Sequence, residues 1–593
     1  MRGAMDELST VVRSSRWAAY GDALGFITEL TDAAGLRHRA GTERVERTVA
    51  WRRKIGGQFG VEARLPEGTY SDDTQLRLAT SRAIRGDGRF DVEAFAKVEL
   101  PVWSAYALGA GRSSRAAANS LTRHIYTWST NFFDDKTARY VDAGGNGAAM
   151  RVQPHVWAAR TRGDLASYLP DVLRNSLSTH GHPRGFLGAA FHAFVLAFAL
   201  GERELPHPRW AQDHLKRMRL VTTIVRDDAD LQDFWLRKWE KESGTTFSAS
   251  VDETIREMQE LLAVALAVDA GEPAYMYGRI CDALGLRESK VRGSGTHTAV
   301  AAYFLAWLFK DDPVGAIVTA ANELGTDTDS IGTMAGALLG CVTSLDVPGP
   351  IQDLPYIDQE ARRLEAISES RNASSFSYPD LLRWEPPQSQ SDAVGMVGGK
   401  PALSGLGFVT ERGPEFRRTG KGAKSIWQWM TLDFGQSILA KVREPIPDLS
   451  PSSAPTRRAS DAASVPPVTA SSEKPKQMTL TGDEERKPPR ESEQREGPSG
   501  PDDQASRGST RFWDVRRPAE APSRSDRQAE AERRAAQGVL PDTETLAARI
   551  EESGFKHDLI GRYIARFADI EHGPELGAVF AASVIRRMRR RRP

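Results

Sequence analysis

Apolar positions recur at helical spacing through most of the first 365 residues and alternate at strand spacing only beyond them. Residues 189–200, 252–268, 298–309 and 313–324 combine helix-forming composition with apolar side chains three and four apart, which one face of a 3.6-residue turn collects. Pro313 in the first turn and Gly325 past the end punctuate the last of these stretches. Glycine- and charge-rich stretches, such as Gly86-Asp87-Gly88 and residues 144–147, read as the loops between. The apolar run 186–200 and the pair Tyr303 and Trp307, one helical turn apart, are expected in the core. The pattern predicts one mainly α, Ala-rich unit over residues 10–365, with few strands.

After residue 366 the pattern changes. Residues 406–410 and 425–432 carry aromatic and β-branched side chains, with Trp427 and Trp429 alternating. Gly413-Pro414 and Gly420-Lys421-Gly422 read as turns between them, so residues 366–444 predict a small α/β or β appendage. Residues 445–540 are rich in Pro, Ser, Glu, Arg and Asp and poor in apolar residues, which predicts a disordered linker. Helical patterning resumes over 541–593 as two or three short helices and ends in arginines, Arg586, Arg587 and Arg589 to Arg592.

Composition narrows the class. At 593 residues the chain exceeds a single compact core. Lys and Arg number 79 and Asp and Glu 79, so no overall charge draws the molecule to nucleic acid or to a membrane. The terminal arginines could touch nucleic acid or another acidic surface, and a solvated tail is the reading preferred for them. Two cysteines, Cys281 and Cys341, form no disulfide framework or zinc spacing and fit a reducing compartment. No early run reads as a secretion signal, and the apolar stretches 186–200 and 299–309 are too short or too small-residue-rich to span a bilayer. A soluble, cytoplasmic protein is expected, with no oligomeric state implied.

Two acidic knots carry the candidate chemistry. Ser71-Asp72-Asp73-Thr74 and Thr326-Asp327-Thr328-Asp329-Ser330 each open a helical stretch. Either knot alone is accounted for as a helix start, because Ser, Asp and Thr oxygens cap orphan N–H groups and acids suit that end of the dipole. Carboxylates beside a hydroxyl are also the all-oxygen donors of a hard cation such as Mg²⁺. A cap needs one acid, so two doublets exceed that need. Successive helical residues point about 100° apart, so Asp72 and Asp73 diverge and could serve different ions. Asp327 and Asp329 converge only if the chain is still a loop there, which Gly325 favours. Gly145-Asn146-Gly147 lacks bulk and lets backbone N–H groups approach a pyrophosphate.

Five segments in order resemble the ADP-ribosylglycohydrolase family: Gly21-Asp22-Ala23-Leu24-Gly25, Ser71-Asp72-Asp73-Thr74, Gly145-Asn146-Gly147-Ala148-Ala149-Met150-Arg151, Thr179-His180, and Gly325-Thr326-Asp327-Thr328-Asp329-Ser330. The resemblance spans roughly residues 15–345. It implies an orthogonal helical bundle holding two Mg²⁺ (or Mn²⁺) ions at the base of an ADP-ribose cleft. One metal cluster falls on Ser71, Asp72 and Asp73, the other on Asp327, Asp329 and Ser330. Glu29 matches a family glutamate close to the ions, residues 145–151, with Met150 among them, match the segment lining the cleft, and His180 matches a histidine beside the ligand. Thr326 stands where Gly is usual, Ser330 where Thr is usual, and Ile27-Thr28-Glu29 lacks a Pro common two residues before the glutamate.

The implied reaction is metal-dependent hydrolysis of the ribose C1″ glycosidic bond of an ADP-ribosylated protein or other conjugate, through an oxocarbenium-like transition state over a carboxylate floor. Glu29 is the first choice to protonate the leaving group or activate water, and Asp73 the second. Asp22 reads as a buried capping group beside Gly21 and Gly25. His180 can contact ligand or serve structure. The alternative function is a module that reads ADP-ribose without cleaving it and recruits partners through the C-terminal half.

Overall fold

The computed structural model describes residues 8–57, 60–417, 425–456, 543–567 and 573–590. Its centre is a pair of antiparallel helices, α1 (Thr10–Thr28) and a later one, Thr328–Val342. Ser9 caps α1, accepting from the Val12 N–H at 3.3 Å. Every residue of α1 except Arg16 is buried, so this helix has no solvent face and its sequence shows little amphipathic contrast. Its partner is buried from Thr328 through Cys341.

Glycines explain how two such helices touch. Gly21 and Gly25 lie four apart on one, and Gly332, Gly336 and Gly340 four apart on the other, so each set forms a stripe on one face. A Cβ at Gly21 would fall 2.1 Å from the Gly332 carbonyl oxygen, at Gly25 2.4 Å from that of Thr328, and at Gly336 2.2 Å from that of Trp17. With Gly340 against the Arg13 carbonyl, backbone meets backbone along about three turns. Hydroxyls in the seam are satisfied across it: Thr328 Oγ1 donates to the Gly25 carbonyl at 2.8 Å, Thr333 Oγ1 to Ala18 at 2.9 Å and Ser14 Oγ to Ala337 at 2.7 Å.

Around this pair the chain lays down, in order, a hairpin of β1 (Trp51–Ile55) and β2 (Val61–Leu65), then α2 (Asp72–Ala83), α3 (Arg112–Leu121), α4 (Pro183–Glu202), α5 (Leu236–Ser243) and α6 (Gly295–Leu308), with α7 (Thr328–Val342) as the second central helix and α8 (Leu354–Ser368) after it. The mainly α reading holds. The β1–β2 hairpin is an addition to it: Arg52, Arg53 and Lys54 separate buried Trp51 from buried Ile55, and the inward middle position is filled by Arg53, whose guanidinium lies 4.3 Å over the Phe26 ring. Alternation was thus masked by a charged residue used for its flat face. The apolar run 186–200 belongs to a 20-residue helix, α4, long and apolar enough to cross a membrane by length and composition alone, yet 83% buried over its apolar window inside the fold. That corrects the expectation that the stretch is too short.

Beyond α8 an antiparallel meander runs β3 (Val394–Val397), β4 (Lys400–Leu403), β5 (Gly407–Phe416), β6 (Ser425–Leu432) and β7 (Ser437–Arg443). Gly413-Pro414 is not a turn: it lies inside β5 where the register with β6 shifts between Arg412 and Glu415, a bulge that tolerates a residue without an N–H. Gly420-Lys421-Gly422 lies outside the described residues. Residues 445–456 are ordered against the sheet, with Met396 N–H donating to Pro447 O at 2.8 Å and Gly405 N–H to Ser453 O at 2.8 Å, so the expected linker does not begin at 445. Residues 457–540 lie outside the described set.

The sheet's core is continuous with the helical core. A buried ion pair, Arg82 with Glu99 at 2.8 Å, also binds Gln436 of the β6–β7 turn at 2.7 Å and Tyr378 at 2.7 Å. Asp353, held at φ 57°, accepts from Tyr70 OH and from the Ser437 N–H, each at 2.7 Å. The appendage thus reaches the residue that precedes Ser71. Three further helices, α9 (Thr543–Glu552), α10 (His557–Phe567) and α11 (Gly573–Arg590), complete the described chain.

The seam makes a direct prediction. Gly332→Ala should lower unfolding free energy in denaturant titration by about 2 kcal/mol or more, since a backbone has to move. Gly201→Ala, where nothing lies within 4 Å, should be neutral or mildly stabilising. Equal behaviour of the two variants contradicts the seam.

Candidate functional site

The seam sets the end of α1 beside the start of α7, and α1 also carries the start of α2. Asp22, fully buried, accepts from the Ser71 N–H at 2.9 Å and the Thr74 N–H at 2.8 Å, and from the Thr74 hydroxyl. It therefore caps α2 from a different helix, the role expected of it. Ser71 Oγ accepts from the Asp73 N–H at 3.2 Å. With the cap supplied by Asp22 and Ser71, the carboxylates of Asp72 and Asp73 are surplus to it.

Asp72 and Asp73 of one knot and Asp327, Asp329 and Ser330 of the other line one cleft of about 980 Å³, together with Glu29, Asn146, Met150 and His180, a volume within the range of ligand sites; Ser71 is buried behind this lining. Asp72 is held by the turn after Leu108, whose carbonyl takes the Asp72 N–H at 3.1 Å. Gly109 and Ala110 adopt φ of 129° and 110°, and the Ala110 N–H donates to the Asp72 carboxylate. A Cβ at Gly109 would fall 2.0 Å from Asp72 Oδ1, so only glycine allows that approach.

On the other side Gly325, at φ 91°, turns the chain into α7. Thr326 is buried in this turn, and its hydroxyl donates to the Glu323 carbonyl at 2.8 Å. The helix starts at Thr328, so Asp327 is still in the loop, and its side chain makes no capping bond. Instead Asp327 Oδ2 accepts from Asn146 Nδ2 at 2.9 Å. Ser330 Oγ lies 3.9 Å from Met150 Sδ.

Electrostatics mark these acids as one cluster. Burial first, and then Glu29, push Asp72 up to about 7. Burial also raises Asp73 and Asp329 well above the usual carboxylate range, with Asp22 and Asp72 adding to the first and Glu29 and Asp73 to the second. Asp73 Oδ1 is buried without a hydrogen-bond partner. Among the described residues no three carboxylate, imidazole or thiol groups converge closely enough to hold an ion by themselves. The oxygens beside these carboxylates include the Ser330 hydroxyl and that of Ser71, which donates to Asp73 Oδ2 at 3.1 Å. In chemistry, buried oxygens short of donors fit a hard cation.

Glu29 ends α1 at the cleft. Its carboxylate pairs with Arg53 at 2.8 Å, a partner the sequence did not suggest because β1 was not legible. The glycine loop is fixed from beneath: Asn146 N–H donates to Gly293 O at 2.8 Å, and buried Arg151 donates to the Gly147 carbonyl at 3.0 Å, Asn175 Oδ1 at 2.8 Å and Thr179 Oγ1 at 2.7 Å. His180 Nδ1 lies 2.7 Å from Thr179 Oγ1, and its ring packs on Gly147, where a Cβ would meet it at 3.0 Å. Burial, with Arg151 nearby, pushes His180 down to about 3, so the imidazole is neutral.

Sequence reasoning missed the basic rim, Arg112, Arg115, Arg184, Lys290 and Arg292, which lines the same cleft as the acids. Its signal was Leu108-Gly109-Ala110-Gly111-Arg112, a glycine turn opening α3. An acidic floor beside a basic rim suits a ligand that is a sugar at one end and an anion at the other.

A model described as ADP-ribosylglycohydrolase matches residues 18–369. Over 167 residues the chain is 30% identical to an ADP-ribosyl-[dinitrogen reductase] glycohydrolase of Rhodospirillum rubrum, a stretch covering 28% of this chain and 49% of that protein. The chain thus spans about half the length of the curated relative it matches. A solved structure titled ADP-ribosylglycohydrolase-related protein complex is similar at TM-score 0.38 and 20% identity, over 61% of this chain and 98% of that one.

The neutral state of His180 can be read directly. Its imidazole signals in NMR should stay unchanged from pH 8 to pH 5, whereas a midpoint near the ordinary value of about 6.5 contradicts the burial described.

Proposed function

Because the chain belongs to the ADP-ribosylglycohydrolase family, we propose that it hydrolyses the ribose C1″ glycosidic bond of an ADP-ribosylated substrate and releases ADP-ribose. The observation that carries this reading is the single cleft into which α2 and α7 both deliver buried, surplus carboxylates. Ser71, Asp72 and Asp73 would hold one Mg²⁺ (or Mn²⁺) and Asp327, Asp329 and Ser330 another. Bound there, divalent ions orient sugar hydroxyls and acidify water.

The protein's own groups divide the remaining work. The acidic floor favours positive charge as it builds on the ribose ring. Gly145 and Gly147 leave room for a diphosphate, and the arginines of the rim match its charge. Neutral His180 offers a ring face and one hydrogen-bonding nitrogen without adding charge. Asp73, whose Oδ1 is buried without a hydrogen-bond partner, would take a proton or a hydrogen bond from water. Glu29 reaches the same floor from the end of α1.

One observation favours the binding-only reading. The Glu29 carboxylate is engaged by Arg53 rather than free above the floor. Incubation with arginine-, serine- and nucleic-acid-linked ADP-ribose, in Mg²⁺ or EDTA, separates the two. Metal-dependent release of ADP-ribose supports hydrolysis, and tight binding with no release supports the reader. Asp72→Asn and Asp329→Asn should each abolish turnover while circular dichroism stays native; full activity in both removes the metal assignment.

Linkage gives an independent check. Asp72 is raised in the fold from 3.8 to about 7, so between those two pH values the folded state holds more protons than the unfolded one. The metal-free protein therefore loses stability as pH rises through 7. Mg²⁺ should raise Tm more at pH 8 than at pH 6, and an equal or smaller shift at pH 8 contradicts the site.

A further inference from the structure

The C-terminal helices α9, α10 and α11 share a small core of their own, Leu546, Ile550, Tyr563, Phe567, Phe580 and Val584. They dock on the π-helical turn Leu231–Trp235 that runs into α5. Positions on this turn face two ways, as residues three and four apart do on a helix. Asp230, Asp233 and Phe234 face the C-terminal helices. Asp233 is 3% exposed, accepts from Tyr563 OH at 2.9 Å and pairs with Arg549. Asp230 pairs with Arg562 at 2.9 Å, and the Phe234 and Tyr563 rings lie 5.6 Å apart.

Leu231, Trp235 and Trp239 face inward and are buried. Trp235 Nε1 donates to Tyr140 OH at 2.8 Å, and Trp239 Nε1 donates to the Gly181 carbonyl at 2.6 Å. Tyr140 OH donates in turn to Leu177 O at 2.7 Å, and the Gly181 N–H to Tyr140 O at 3.2 Å. Gly181 follows His180, and Tyr140 leads through Gly144 into the glycine loop. One face of a short helical segment thus grips both ligand-side loops of the cleft, while the other face is gripped by the end of the chain.

We propose that Trp235 and Trp239 are positioning residues of the cleft and that the docked C-terminal helices seat them. Undocking strips Asp233 of Arg549 and Tyr563, its partners among the described residues, and takes the Tyr563 ring from Phe234. The turn loses the contacts that fix its outer face, and Trp235 and Trp239 loosen with it. Covalent attachment keeps the helices at high local concentration, so modest contacts hold them in place. The coupling concerns the order of residues 140–147 and 177–182, and it holds whatever the cleft binds.

Hydrogen exchange on the full-length protein tests it without any assay of turnover. In Arg549→Glu, amides of α9 to α11 and of residues 140–147 and 177–182 should all exchange faster, the loop amides by about tenfold. The charge swap Arg549→Asp with Asp233→Arg should return both sets toward wild type. Trp239→Phe should speed residues 177–182 while α9 to α11 stay protected, which sets the direction of coupling. Two outcomes overturn the proposal: C-terminal helices that open in Arg549→Glu while the loops exchange as before, or helices that stay fully protected in that variant.

Discussion

The backbone contact between α1 and α7 is the constraint from which the site follows. Two helices whose glycines meet carbonyl oxygens have one register, because a shift of a single residue would put a side chain into a space that holds none. That register fixes the end of α1, with Glu29, against the start of α7, with Asp327 and Asp329. Through Asp22 the same helix also caps α2 and aims Asp72 and Asp73. A close helical seam thus becomes a close pair of acidic corners some 250 residues apart in sequence.

The cost of that arrangement is electrostatic. Three buried aspartates rise above their ordinary range, chiefly because they have left water and partly because they face one another. Such a cluster destabilises the fold unless something positive meets it; in the chain itself Arg77 and Arg151 stand nearby bound largely to other partners, and Arg53 pairs with Glu29. Strain of this kind gathers at functional sites. The family and the cleft's mixed charge suggest a use for it: the proposed ions would neutralise the floor, and the arginine rim would take the anionic half of the ligand.

Much of this was legible in the sequence, and the exceptions have physical causes. Helices α4 and α6 announced themselves through apolar runs, and the knots through doublets of acids that no cap requires. The choice between cap and ligand could not be made from either knot alone, since Asp22 caps α2 from elsewhere in the chain. Nor did alternation reveal β1, because Arg53 takes an inward place by lying flat on Phe26. Gly413-Pro414 looked like a turn, and a bulge uses the same residues. The two glycine stripes, a pair on α1 and three on α7, were in plain view as four-residue spacing, but their meaning depends on which two helices pair. Contacts such as Asp233 with Arg549 join segments over 300 residues apart, and no local pattern encodes them.

Electron paramagnetic resonance of the Mn²⁺-loaded protein tests the central claim most directly. Two acidic corners closed on one floor by the glycine seam should bind two Mn²⁺ per chain and show a spin-coupled spectrum, which Asp329→Asn reduces to that of an isolated ion. A chain that binds no Mn²⁺, or one that shows only uncoupled ions indifferent to Asp329→Asn, contradicts the account.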